Sequence, residues 1–224
     1  MIGKVVHVVA AALMDSHGRI LIAQRPPGSH LAGGWEFPGG KLEPGESPLD
    51  GLARELREEL GIFLGGGPHR PLRRVRHSYP DREILIEVWA VRDYTGDPRG
   101  LDKQVIRWCR QEELADAPML PADAPIVDSL LLPERLVCAS TSAYAFGSPS
   151  PGRLAGVMCS GVEEAMEAEN AGADFIAMSA FMSPRELADV CRAVTVPVFA
   201  RGIALETAWV LGASGLNELP TPYP

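Results

Sequence analysis

From Val5 to Met14 the chain is apolar at nearly every position and rich in β-branched residues, which predicts a first strand. Asp15 to Gly18 supplies turn residues and Arg19 to Arg25 returns as a second strand, so the pair is expected to form a hairpin. Pro26 to Ser29 breaks that pattern and opens a loop to Gly34, before a short extended Trp35–Phe37 and a bend at Pro38–Gly40. The spacing then changes from two to three and four: Leu49, Leu52, Ala53, Leu56 and Leu60 mark one apolar face of a helix. Ser47 suits its N-cap, Pro48 its first turn and Gly61 its stop. After a glycine-rich break at Gly65–Pro68, strands are expected over Leu72–Tyr79 and Glu83–Tyr94, joined at Pro80–Arg82. In the second of them Ile84, Ile86, Val88 and Ala90 alternate with Leu85, Glu87 and Trp89. A strand at Val105–Cys109, a helical turn at Glu112–Ala115 and a helix at Ala124–Leu132 complete a mixed sheet flanked by helices.

Beyond Pro133 the pattern shifts. Leu136–Cys138 suits a strand, and Ala139–Arg153, rich in Ser, Pro, Gly and Tyr, reads as a connecting loop. Strands at Leu154–Cys159, Asp174–Met178, Val196–Ala200 and Ser214–Leu216 then alternate with helices at Val162–Asn170, Pro184–Ala193 and Leu205–Leu211, the signature of successive βα units on a parallel sheet. The tail from Pro220 onward is expected to fray. The chain is thus read as α/β, in two domains: residues 1–132, a linker over 133–153, and residues 154–224.

Composition narrows the class. The 224 residues are 46% hydrophobic and 22% charged, ample for packed cores, and the net charge of −8 disfavours a nucleic-acid polymer or an anionic membrane as partner. A small polyanion remains compatible where metal ions neutralise it. Cys109, Cys138, Cys159 and Cys191 are scattered without ligand spacing and read as buried reduced thiols. The apolar N-terminal run is too short to span a bilayer, so the reading is a soluble, cytoplasmic protein.

The chemistry concentrates between Gly40 and Ile62. Glu55, Glu58 and Glu59 lie three and four residues apart on one side of the helix, where they repel one another unless a hard divalent cation joins them. A solvated, Glu-rich helix face is the plainer alternative. That alternative leaves unexplained why Gly40, Glu46, Arg54 and Gly61 are placed as well, in the spacing Gly-x5-Glu-x7-Arg-Glu-Leu-x-Glu-Glu-x-Gly-Ile. This pattern resembles the signature box of the Nudix hydrolases.

Within that family residues 1–132 resemble the MutT-like 8-oxo-dGTP diphosphatases, through Gln24-Arg25, His30, Glu36 to Lys41, Tyr79 to Arg82, Asp102, Trp108 and Pro121 to Ile126. The resemblance implies an α/β/α sandwich with a mixed sheet and Mg2+-dependent (or Mn2+-dependent) cleavage of an oxidised nucleoside triphosphate to monophosphate and diphosphate, cleansing the nucleotide pool. It places the metal on Glu55, Glu58, Glu59 and the Gly39 carbonyl, with Asp102 joining Glu55, Glu58 and Glu59 as the catalytic set. Glu46 would pair with Arg54. Arg25, His30, Glu36, Phe37, Pro38, Gly39, Arg82 and Asp123 would bind the substrate, Phe37 being equally acceptable as core. Asp123 departs from the asparagine of the nearest MutT-like enzymes: an ionised carboxylate only accepts hydrogen bonds, which bears on base preference.

Residues 154–217 resemble the second half of thiamine-phosphate synthase, a (β/α)8 barrel, through Gly161 to Ala165, Ala171 to Ile176, Val196 to Ile203 and Gly212 to Gly215. The metal-binding middle strands of that enzyme have no counterpart here. An incomplete barrel-like domain without synthase activity is therefore expected, its open edges covered either against the first domain or by a second copy in a homodimer. The alternatives to nucleotide cleansing are hydrolysis of another nucleoside or thiamine-type diphosphate, and a non-catalytic ligand sensor.

Overall fold

A computed structural model describes residues 5–147 and 152–220. The positions expected to fray beyond Pro220, the first four residues and residues 148–151 of the expected linker lie outside the described residues. The chain divides into two compact units, one of residues 1–69 and 74–127, the other of residues 70–73 and 128–224.

The chain through Cys109 carries strands β1 (Val5–Leu13), β2 (Ile20–Gln24), β3 (Trp35–Glu36) and β4 (Gly39–Lys41), helix α1 (Pro48–Leu60), and strands β5 (Phe63–Leu64), β6 (Arg70–Tyr79, whose first four residues fall in the second unit), β7 (Arg82–Val91), β8 (Tyr94–Thr95) and β9 (Val105–Cys109). Helices α2 (Gln111–Leu114) and α3 (Ala124–Leu130) follow. A mixed sheet has the order β4-β1-β7-β6, and a second sheet has the order β3-β2-β9. β1 runs parallel to β7, with Val8 opposite Ile86, and antiparallel to β4, with Ala10 opposite Gly39. The expected β1–β2 hairpin is therefore a correction: the two strands join different sheets and share one bridge, Met14 to Ile20. Turn residues reverse the chain, but β1 pairs along nine residues with β7 and β2 along five with β9.

Because successive side chains on β1 point oppositely, Val9, Ala11 and Leu13 pack with Leu52, Leu56 and Leu60 of α1 and with Trp89 and Val91 of β7. Val6, Val8 and Ala10, with Ile84 and Ile86 of β7, line a cavity instead. α1 starts where the Asp50 amide donates to Ser47 Oγ and ends at Gly61, whose φ of 70° frees its amide to cap Arg57. Leu49, expected on the apolar face, is 40% exposed: the buried stripe narrows to Leu52, Leu56 and Leu60. Of the cysteines, Cys109 and Cys159 are buried, whereas Cys138 is exposed, against the expectation.

The second unit holds β10 (Arg135–Leu136), β11 (Tyr144–Phe146), β12 (Leu154–Cys159), α4 (Val162–Asn170), β13 (Phe175–Met178), α5 (Pro184–Ala193), β14 (Val198–Ala200), α6 (Leu205–Val210) and β15 (Gly215–Asn217). Its six strands form one parallel sheet in the order β10-β15-β14-β13-β12-β11. Strand β11 lies inside the stretch expected to be loop, and β10 and β11 both fall within the expected linker. The outer edge of β11 is covered within the chain, since Thr141 donates to the Tyr144 carbonyl and Phe146 to that of Ala139. That edge does not call for a second copy. Leu136, Tyr144, Phe175, Ala177 and Phe199 fill one side of the sheet, and Phe175 meets Tyr144, Phe146 and Phe199 edge to face. No helix among the described residues is long and apolar enough to cross a membrane.

Candidate active site

The glycine-rich bend at β4 is where sequence and packing leave no freedom. A Cβ on Gly39 would stand 2.0 Å from the Val9 carbonyl oxygen, at a φ of 149° that other residues rarely adopt, and one on Gly40 would stand 2.3 Å from the Glu55 carboxylate. The backbone of β4 thus lies directly against both β1 and the carboxylate face of α1.

Arg54 organises that face. Its Nε and Nη2 grip the two oxygens of Glu46 at 2.9 and 3.0 Å, and Nη2 also donates to the Lys41 carbonyl at 3.0 Å. Nη1 reaches Glu55 at 3.0 Å and Glu58 at 3.3 Å. The guanidinium hydrogen bonds hold the Glu46 carboxyl below its ordinary range and raise the arginine above its own. The expected Glu46–Arg54 pairing is present in this geometry, and it ties the loop after β4 to the helix.

Glu59 points the other way. Its Oε2 accepts from the Gly39 amide at 3.3 Å. Burial is the main force raising its carboxyl to about 8, followed by the negative charges of Glu55, Glu36 and Asp102; the Gly39 hydrogen bond opposes them. Carboxylates from α1, β3 and the β8–β9 loop therefore converge electrically at Glu59.

Among the described residues no three histidine, cysteine or carboxylate side chains are gathered closely enough to hold a metal ion as they stand. Arg54 draws Glu55 and Glu58 toward itself, supplying the positive charge a cation would bring, while Glu59 turns to the Gly39 amide. The chemistry of the donors still fits a hard cation: all are oxygens, and they surround a buried carboxyl that carries excess negative potential.

On the other side of β1 a cavity of about 330 Å³ takes in seven of the eight residues expected to bind substrate: Arg25, His30, Glu36, Phe37, Gly39, Arg82 and Asp123. Pro38, the eighth, is not among the lining residues, and its carbonyl accepts from the Ala11 amide at 2.9 Å. Arg25 Nη1 binds Glu36 Oε2 at 2.8 Å, while its Nε is buried with no protein partner. Phe37 is 3% exposed and lines the cavity, so it is core and wall at once. Asp123, 5% exposed, accepts from the Phe37 amide at a long 3.5 Å. Burial, then the Glu36 charge, pushes its carboxyl up to about 7.

Tyr79 and Lys41 also line the cavity, although pattern reading assigned them no role. Tyr79 is met edge-on by His30 at 5.5 Å and His77 at 4.7 Å, with the Arg82 guanidinium 5.9 Å from its ring centre. Its place just before Pro80–Arg82 was the available signal. Asp102, beyond the cavity lining, is held by a hydrogen bond from its amide to Gln104 Oε1 at 2.7 Å.

The model of the NUDIX domain matches residues 9–129. A CTP pyrophosphohydrolase of Escherichia coli (strain K12) is 41% identical over 128 residues, covering 57% of this chain and 93% of the relative. An 8-oxo-dGTP diphosphatase of Proteus vulgaris is 43% identical over 94 residues, 42% of this chain and 82% of the relative. The solution structure of the E. coli ORF135 protein superposes with a TM-score of 0.51 at 40% identity, over 58% of this chain and 90% of that one. Matched across more than half its length, with a glycine bend and glutamate helix arranged as described, the chain belongs to the Nudix hydrolase family.

Proposed function

We propose that the first unit hydrolyses nucleoside triphosphates bearing an 8-oxoguanine base, giving the nucleoside monophosphate and diphosphate and so cleansing the nucleotide pool. Water attacks the β phosphorus, the bond to the oxygen bridging to the α phosphorus breaks, and the monophosphate leaves with that oxygen. The water oxygen stays on the diphosphate and its protons pass to carboxylate or solvent. A divalent cation, with Mg2+ as the expected ion, would be held by Glu55, Glu58, Glu59 and the Gly39 carbonyl and would neutralise phosphate charge and acidify water. Arg54 keeps α1 and the β4 loop in register, and the cavity orients the base and sugar.

The observation that carries the substrate reading is Asp123 at the cavity wall, with its carboxyl at about 7. A neutral acid donates through one oxygen and accepts through the other, which suits the N7–H and O6 of 8-oxoguanine; the ionised form only accepts. The same neutral acid can accept from N4 and donate to N3 of cytosine. That, with the CTP pyrophosphohydrolase relative, favours CTP as a second reading.

For the second unit we infer a remnant of a thiamine-phosphate-synthase-like barrel without synthase activity. Its support is the resemblance at residues 154–217 and the sequential parallel strand order. A cytoplasmic location suits an enzyme of the nucleotide pool.

The test is product analysis with the full chain and Mg2+ on 8-oxo-dGTP, dGTP, CTP and thiamine diphosphate, wild type beside Glu59→Gln. Diphosphate release favouring 8-oxo-dGTP, abolished in E59Q with nucleotide binding retained, supports the proposal. Preference for CTP supports the second reading. Nucleotide binding without turnover, alike in the wild type and E59Q, makes the unit a ligand sensor and overturns both.

A further inference from the structure

The loop between β8 and β9 reaches the C-terminal turn of α1 by a small set of hydrogen bonds. Arg99 donates to the Leu60 carbonyl at 3.0 Å and Leu101 to that of Glu59 at 2.8 Å. The side chain of Gln104 adds one more to α1 and one within the loop. Its Nε2 donates to the same Glu59 carbonyl at 3.2 Å, and its Oε1 accepts from the Asp102 amide at 2.7 Å. One amide group therefore spans the backbone of Glu59 and that of Asp102.

The loop has few other ways to hold this shape. Leu101 is 54% exposed and Asp102 is exposed, so little apolar packing fixes either. Lys103 sits at a φ of 63°, a left-handed conformation that strains a non-glycine residue. A Cβ on Gly100 would stand 2.1 Å from the Gln104 carbonyl oxygen, so the chain doubles back tightly there. A strained, exposed turn keeps one conformation when local bonds over-determine it.

We propose that Gln104 is a positioning residue that acts through Asp102, pinning the turn that carries Asp102 against the C-terminal turn of α1 that carries Glu59. This rests on Asp102 belonging to the hydrolytic site, and the test separates the two ideas.

The experiment is a double-mutant cycle on the full chain: Gln104→Met, which keeps length and loses both hydrogen bonds, Asp102→Asn, and the pair together. Each is assayed for kcat and KM on 8-oxo-dGTP and CTP, and for Mn2+ affinity by calorimetry. Gln104→Glu, which retains only the acceptor for the Asp102 amide, is carried alongside as a partial rescue. The expected result is a loss of about 10-fold in kcat for Q104M with KM within about 2-fold, a smaller loss for Q104E, and less than about 2-fold further loss when Q104M is added to D102N. Equal losses in both backgrounds, or a loss in KM alone, overturn the proposal and leave Gln104 a structural residue. Wild-type kcat and Mn2+ affinity in D102N overturn the role of Asp102 and the proposal with it. If no nucleotide is hydrolysed by the wild type, the hydrolase reading fails, and the Mn2+ affinities of the same four proteins decide the Gln104 claim alone.

Discussion

Replacing Asp123 by asparagine isolates one buried carboxyl. In the folded protein it ionises at about 7, against an ordinary 3.8. Below 3.8 the group is neutral in folded and unfolded chains and contributes nothing to their balance. Between 3.8 and about 7 the unfolded chain releases the proton while the folded chain keeps it, so the folded state binds more protons and stability falls as pH rises. The interval is about three pH units, and at about 1.4 kcal/mol per unit the loss reaches up to about 4 kcal/mol above neutrality. Residual solvation makes that an upper bound. Asparagine is neutral throughout and still accepts from the Phe37 amide. D123N is therefore expected to match the wild type near pH 4 and to exceed it progressively up to pH 7. The gap then stays constant, worth about 2–4 °C in melting temperature per kcal/mol for a chain of this size. Thermal unfolding of both proteins in buffers from pH 4 to 8.5 reads this directly. The same substitution fixes a donor and an acceptor at the base, so the kcat/KM ratio of 8-oxo-dGTP to dGTP is expected to rise, most above pH 7. A stability difference independent of pH would refute the assignment of a raised carboxyl, and an unchanged or lower ratio would refute its role at the base.

Arg54→Lys keeps the charge but not the fork that grips Glu46 and the Lys41 carbonyl, so the β4 loop loosens from α1. We expect kcat/KM to fall on the order of 100-fold while stability changes by about 1 kcal/mol; steady-state kinetics with unaltered circular dichroism checks both. Leu56→Ala empties a fully buried position between α1 and β1 and is expected to cost about 2–5 kcal/mol in urea unfolding, with no gain from repacking by Leu49, which faces solvent.

Local signals in the chain accounted for much of this. α4 at Val162–Asn170 and α5 at Pro184–Ala193 coincide with the ranges expected from spacing, and for α5 the start signals are short-range: Pro184 opens it and Ser183 with Glu186 forms a reciprocal cap. The Ser47–Gly61 frame of α1 is of the same kind. Strand β11 was missed because its three residues sit in turn-rich sequence and become a strand only through pairing with β12, a partner that the local composition does not reveal. The β1–β2 hairpin was expected for the converse reason: the turn is local, but sheet membership is not.

The site divides along the same line. Spacing alone put Glu55, Glu58 and Glu59 on one side of a helix, and the family resemblance implied Arg25, His30, Glu36, Phe37, Arg82 and Asp123. Only the tertiary structure could separate the two faces of β1, one closed against α1 and the other open to the cavity. Only it could show Arg54 occupied by Glu46, Glu55 and Glu58, and Gln104 bonded to a backbone carbonyl 45 residues away along the chain. The ionisation of Asp123 and Glu59 was decided there too. Sequence specifies which groups a residue carries; their desolvation and the charges set beside them depend on segments that meet only when the chain has folded.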